Sequence, residues 1–264
     1  MEPELAKSVE EFRRTAEAVG CKISLVGALV FEFSPEFPDS LRFRRTNDAD
    51  FAVLVRDWAA FTVLKDALLK SGFKNDNKTE HRLHRGTTQI DLIPYGPKVA
   101  PAGKLTWPES GMVMTVTGFD EVCKAAGESK PGKPHVPVVT LPGFAILKTV
   151  AFFERRPGPE YRDDARDLDY CLEHYASREE DGRRYELGAE QEYETAGAVL
   201  LGREVRKLAS PEAGKYMDRL FDETKDLYCS FIEALGFGLM DEAVEDRKRR
   251  GLALIEAFKK GYGS

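Results

Sequence analysis

The sequence predicts an α/β (α+β) fold in two parts: a mixed β-sheet with flanking helices over residues 1–139, then a helical bundle over residues 140–264. Three observations predict it. Short apolar runs bounded by Gly, Pro and charged residues recur between residues 22 and 139, as strands do. Segments of helical period stand among them. Beyond Thr140 the period is helical throughout, with stripes such as Tyr216, Leu220, Leu227, Phe231 and Leu235 that suit a bundle core.

Taken in order, Leu5, Val9, Phe12 and Ala16 recur at helical spacing and predict an amphipathic helix over 3–19. Lys22 to Val26 predicts a short strand ending at Gly27, and residues 28–33 suit either strand or helix. Pro35 and Pro38 mark a loop. Phe51 to Val55 predicts a strongly apolar strand, and Trp58 to Lys70 a helix stopping before Gly72. Strands follow at 79–84 and 88–93, with Arg85-Gly86 as the turn. Residues 94–110 are a Pro- and Gly-rich loop, 112–116 and 136–139 are strands, and 119–126 is helical.

The chain has 264 residues, enough to bury one large core or two small ones. With 42% hydrophobic and 32% charged residues it reads as globular rather than disordered. No apolar run approaches the roughly 20 residues that span a bilayer. The start Met1-Glu2-Pro3-Glu4 lacks the layout of a signal peptide, so a cytoplasmic protein with no membrane partner is expected. Cys21, Cys123, Cys171 and Cys229 have no metal or disulfide spacing and read as reduced thiols. The net charge of -6 sits in the second half, because residues 1–150 carry 20 Lys and Arg against 19 Asp and Glu. A whole-surface basic footprint for nucleic acid is excluded. A local one is left open by Arg42, Arg44, Arg45, Lys74, Lys78, Arg82 and Arg85.

The chemistry is concentrated in carboxylates on apolar strands. Asp48-Ala49-Asp50-Phe51-Ala52-Val53 opens one strand. Side chains alternate along a strand, so Asp48 and Asp50 share a face, while Ala49, Phe51 and Val53 point to the core. Side-by-side carboxylates repel unless a cation lies between them. Asp91 stands likewise between Ile90 and Leu92, and if the two strands are neighbours the three carboxylates converge. Three hard oxygen donors suit magnesium, which also keeps water and substrate phosphate. Two such ions can activate a hydroxyl and steady a leaving pyrophosphate. The competing reading is a set of edge acids that discourage strand-to-strand aggregation.

Val26-Gly27-Ala28, Arg44-x-Thr46-x-Asp48-x-Asp50-Phe51 and Ile90-Asp91-Leu92, in that order, resemble the polymerase-β-like nucleotidyltransferases, above all their AbiEii-like abortive-infection toxin branch. The resemblance covers about residues 20–175. It implies catalytic and metal-holding roles for Asp48, Asp50 and Asp91, and nucleotide contacts from Gly27, Ala28, Arg44 and Thr46. Ala28 stands where that branch has Gly or Ser, so a serine hydroxyl contact is lost. The branch is also similar in carrying a lysine on a helix after the sheet, then a Lys-Asp-x-x-Asp stretch. Here these are Lys148 and Asp163-Asp164-x-x-Asp167, the stretch's own lysine being absent. The implied roles are Lys148 on the nucleotide phosphates, and Asp164 or Asp167 orienting Lys148 or the acceptor. Without the resemblance, acids in a first helical turn need no explanation beyond the helix dipole, and Lys148 in an apolar helix must snorkel or be paired.

The reaction implied is transfer of an NMP from an NTP to an acceptor hydroxyl, with two Mg2+ ions. The acceptor expected from the resemblance is a tRNA or other RNA 3′ end, with the protein as toxin of a toxin–antitoxin or phage-defence pair and an antitoxin as partner. The alternatives are nucleotidylation of an aminoglycoside-like small molecule, for which the acidic second half is suited, or of a protein, or a non-catalytic binding module on the same fold. Gly127-Glu-Ser-Lys-Pro-Gly132-Lys133-Pro134 nearly spells a P-loop. It has Pro134 where Ser or Thr would hold magnesium, and it follows a helix. His81 and His84, three apart on an expected strand, face opposite sides and are poor joint metal ligands. His135 and His174 stand in no motif.

Overall fold

The computed structural model describes residues 2–41, 46–156, 158, 160–188, 191–222, 226–236 and 241–264, with the side chains of 226–229, 236, 241 and 242 excepted. These fall into two compact units. One comprises residues up to Pro35 and Asp39–Thr140. The other comprises Glu36–Pro38 and Leu141–Ser264. The fold class is the expected one: a mixed sheet with helices, and a unit that is otherwise helical.

The first unit begins with α1 (Pro3–Ala18), in which Leu5, Val9, Phe12 and Ala16 are all buried. Phe12 meets Phe51 with ring centroids 4.5 Å apart, which seats the helix on the sheet. Then come β1 (Lys22–Leu25), the one-turn helix α2 (Val30–Phe33), β2 (Asp48–Leu54), α3 (Trp58–Lys70), β3 (Lys74–Asn75), β4 (Arg82–Arg85), β5 (Thr88–Tyr95), the ribbon β6 (Lys104–Thr106) and β7 (Val113–Thr115), α4 (Phe119–Lys124), β8 (Gly127–Glu128) and β9 (Pro137–Val138). Among the described residues the main sheet has seven strands in the order β3-β4-β5-β2-β1-β9-β8. β2 and β5 are parallel neighbours at its centre, and β4 pairs antiparallel with β5.

Two expectations shift by a few residues for local reasons. The strand expected from residue 79 starts at Arg82, because the Asp76 carboxylate accepts from the N–H groups of Lys78 and Thr79 at 2.8 Å and closes a turn first. His84 binds the same carboxylate at 2.9 Å, which together with those amides holds the Asp76 carboxyl down at about 2. The stretch 94–110, expected as loop, contains β6 and the buried Trp107. That indole packs against Trp58, Phe61 and His81, and its Nε1 donates to Met114 Sδ at 3.0 Å. Residues 28–33, open between strand and helix, turn into α2.

The second unit is built from α5 (Leu141–Glu154), α6 (Tyr161–His174), α7 (Tyr193–Leu208), α8 (Pro211–Leu220), α9 (Asp226–Gly236) and α10 (Asp241–Tyr262). α7 and α10 approach backbone to backbone, because a Cβ on Gly202 would lie 2.3 Å from Phe258 O and one on Gly261 2.0 Å from Val199 O. The α6 C-terminus is capped by Arg184, 6% exposed, whose guanidinium donates to the carbonyls of Glu173 and Tyr175 at 2.6–2.9 Å. Residues 36–38 lie in this unit although they precede it by a hundred positions. Phe37, 3% exposed, packs against Tyr170 at 5.7 Å and His174 at 6.3 Å, and Glu36 accepts from Leu141 N at 3.4 Å at the head of α5. Among the described residues no helix is long and apolar enough to cross a membrane.

Candidate active site

Strand register brings the expected carboxylates together. In the parallel β2–β5 ladder Asp50 is the partner of Asp91, and Asp48 that of Gln89. Residues opposite one another on adjacent strands present to the same face, so Asp48, Asp50 and Asp91 share one surface of the sheet. Ala49, Phe51 and Val53, on the other surface, are fully buried. Asp48 is exposed, Asp50 half-buried and Asp91 7% exposed, so the group runs from solvent into the unit.

The glycine turn closes on this group. Val26 N donates to Asp50 O at 2.9 Å, and the place a Cβ would take on Gly27 is 1.7 Å from Asp50 Oδ2. Only glycine admits the carboxylate so close to the turn. Ala28 is 8% exposed, its methyl inside the unit, and the turn continues into α2 through Val30 N donating to Gly27 O at 2.9 Å. Thr46 accepts from Asp48 N at 3.0 Å, which sets the entry to β2 and engages the hydroxyl expected to serve the nucleotide. Arg44, with Arg42 and Arg45, lies outside the described residues.

Arg82 is the feature that sequence reasoning assigned elsewhere. It was expected as a surface cation for RNA, yet it is the cross-strand partner of Asp91 and grips it with a fork: Nε to Oδ1 at 2.8 Å and Nη2 to Oδ2 at 2.8 Å. That pair, with Asp48 and Asp76 adding attraction, holds the guanidinium pKa above its ordinary value. His81 Nε2 lies 3.7 Å from Asp91 Oδ2. In donor chemistry Asp48, Asp50 and Asp91 fit magnesium, being hard carboxylate oxygens on one face. Among the described residues, however, no group of three or more His, Cys, Asp or Glu side chains is gathered to hold an ion as it stands, and both Asp91 oxygens are taken by Arg82.

The second expected cluster lies in the helical unit. Lys148 Nζ, 12% exposed at the side chain, is 2.9 Å from Asp164 Oδ1 and 2.7 Å from Asp167 Oδ2, each acid 1% exposed. Arg155 reaches Asp164 as well, at 3.2 Å and 3.3 Å. Burial disfavours the lysine charge, but Asp164 and Asp167 outweigh it and raise the pKa. The ammonium is therefore a shared counter-ion between α5 and α6, with the Phe144 ring 5.5 Å away. Asp169, on the same helix, is fully buried and bonded by Arg247. The lysine of the P-loop lookalike, Lys133, binds Glu32 at 2.6 Å.

No protein-family model and no curated protein matches the chain. Among solved structures it is similar to the solution structure of the antibiotic-resistance factor ANT(2″)-Ia, at 11% identity over 65% of this chain and 86% of that one, TM-score 0.44. It is similar also to the crystal structure of ANT(2″)-Ia in complex with adenylyl-2″-tobramycin, at 11% identity over 81% and 97%, TM-score 0.45. An antigenic nucleotidyltransferase-like protein from Paracoccidioides brasiliensis aligns at 16% identity over 86% and 92%, TM-score 0.43. These are remote likenesses.

Proposed function

We propose that the chain is a magnesium-dependent nucleotidyltransferase of the AbiEii-like kind, moving an NMP from an NTP to an acceptor hydroxyl. The observation that carries the reading is the register match of Asp50 with Asp91 on adjacent parallel strands, beside a glycine turn that leaves no room for a side chain. Acids that merely guard a sheet edge would not sit on its two central strands. When bound, magnesium supplies charge neutralisation at the phosphates and a more acidic hydroxyl. Asp48 and Asp50 would hold it, with Asp91 as third ligand and as acceptor of the hydroxyl proton. The Gly27-Ala28 turn would bring backbone to the triphosphate, and nucleotide contacts are proposed for Thr46 and Arg44. In such a site catalysis is mainly positioning and charge complementarity.

For the acceptor we propose an RNA 3′ end, and for the protein the toxin role with an antitoxin partner. Exposed Lys74 and Lys78, on and after the edge strand β3, support an approach of phosphate from that side. One observation favours the second reading, a cationic or neutral small molecule: Arg82 is spent on Asp91 and is not offered to a backbone. Phosphate contacts release counter-ions, so RNA binding should weaken with salt with a slope of roughly -0.7 per contact. Lys74→Ala with Lys78→Ala should flatten that slope and keep NTP binding. Unchanged RNA binding in the double variant, or none by wild type at low salt, favours the small molecule.

The test of the enzyme itself is Asp50→Asn, assayed with each labelled NTP, magnesium and total tRNA. The variant should fold, melt no lower than wild type because a carboxylate repulsion is gone, and transfer nothing. Wild-type transfer by the variant removes the metal site, and no transfer by wild type with any acceptor leaves a binding module on this fold.

A further inference from the structure

We propose that Arg82 is the resident counter-ion of Asp91 on the carboxylate face, and that a divalent ion gains Asp91 by displacing it. The inference rests on the magnesium reading above and adds a competitor to it. Asp50 and Asp91 stand at matched register on neighbouring strands, where two negative charges require compensation. Arg82 provides it for Asp91 from the far side, as its cross-strand partner on β4. Its fork satisfies both oxygens at 2.8 Å, in the bidentate geometry that makes such pairs strong. The Gln89 amide, with its oxygen turned to the guanidinium, accepts from Arg82 at 2.9 Å and 3.0 Å. Gln89 is in turn the ladder partner of Asp48. Arg82 is thus held along the same row of side chains that carries the acids.

Arg82 engages both Asp91 oxygens, so a divalent ion would have to compete with it for that carboxylate. A guanidinium and a divalent ion on one carboxylate also repel each other. Metal uptake would therefore be an exchange: the Arg82–Asp91 pair would open and leave Asp91 free to turn to the ion. No covalent bond changes, and without metal Arg82 offsets the charge of Asp91, one of the three acids on this face. His81, with its ring against Trp107 at 5.3 Å and its Nε2 3.7 Å from Asp91, lines the space beside the pair.

The experiment is a titration of Mn2+ into the full chain, with free ion read by electron paramagnetic resonance and folding checked by circular dichroism. Arg82→Gln should bind Mn2+ about tenfold tighter than wild type, because a charge-assisted pair no longer competes. Arg82→Lys, which keeps the charge but loses the fork, should fall between them and serves if the glutamine variant does not fold. Tight binding should vanish when Asp50→Asn is added to Arg82→Gln. Equal or weaker binding by both Arg82 variants, with wild-type binding lost in Asp50→Asn, overturns the competitor and leaves the metal site standing. Binding indifferent to Asp50→Asn in either background, or absent from every protein, overturns the metal reading itself.

Discussion

Replacing Lys148 by Met removes one ammonium from between two carboxylates that are each 1% exposed. The methionine keeps the apolar stem, so packing against Phe144 and the rest of α5 is nearly conserved. Asp164 retains Arg155 at 3.2 Å. Asp167 loses the cation 2.7 Å from it. Breaking a buried ion pair on one side costs about 3–5 kcal/mol, because the remaining charge is left in a poor dielectric. For a protein of this size that is a fall in Tm of roughly 6–20 °C at pH 7. The sign of the pH dependence follows. A buried carboxylate that loses a cation is penalised in its charged form, so the penalty belongs to neutral pH and shrinks as the acid takes up a proton. Lys148→Met should therefore approach wild-type stability on acidification, and Lys148→Met with Asp167→Asn should recover most of the loss at pH 7. Differential scanning calorimetry from pH 4 to 8 makes the comparison. A single variant that melts within about 2 °C of wild type at pH 7, with a parallel pH curve, refutes the argument that the ammonium is the counter-ion of the two acids.

Other consequences can be measured separately. Gly27→Ala places a methyl where the Asp50 carboxylate lies, so it should abolish transfer and cost about 1–3 kcal/mol by urea denaturation; an active, equally stable variant denies the close approach. Burial, with Arg184 and Arg250 nearby, depresses His174 to about 4, while Glu173, at 3.6 Å, is engaged by Arg247 and Arg250. A histidine kept neutral in the fold contributes stability above its unfolded pKa and loses it as pH falls from about 6.5 to 4, by roughly 1–3 kcal/mol. His174→Gln should flatten that slope in calorimetry, and an unaltered slope assigns it to other groups. Phe37→Ala should destabilise by about 3–5 kcal/mol, read as a shifted denaturation midpoint, and a change under about 1 kcal/mol would show that its seat against Tyr170 and His174 is loose.

The carboxylate face was legible because strand alternation is strict. Once residues 48–55 and 88–93 read as strands, Asp48, Asp50 and Asp91 had to leave the core face, and only their adjacency needed the fold. Lys148 was legible as a residue requiring a partner, since it is the lone cation of α5, and Asp164 and Asp167 proved to supply it. What stayed hidden depends on register between strands, which composition does not encode. Arg82 and Asp91 are nine positions apart, and nothing local says that one faces the other. The Asp76 turn, which decides where β4 begins, was overlooked among the charged residues of 74–82, although an aspartate two and three residues before free amides was a usable signal. Trp107 was hidden by its Pro- and Gly-rich surroundings, and Glu36-Phe37-Pro38 by the prolines that made them look like a simple loop.

That short segment sets an order of events at synthesis. Phe37 leaves the ribosome early, and the aromatic groups it packs against, Tyr170 and His174, follow about 140 residues later. At about 5–20 residues per second the ring waits roughly 7–28 s before its socket exists. During that interval the strands on either side of it can complete their own ladder, because the acids and the glycine turn belong to residues already made. The nascent chain therefore carries an apolar ring whose partners are still unwritten, and they exist only once α6 has been made.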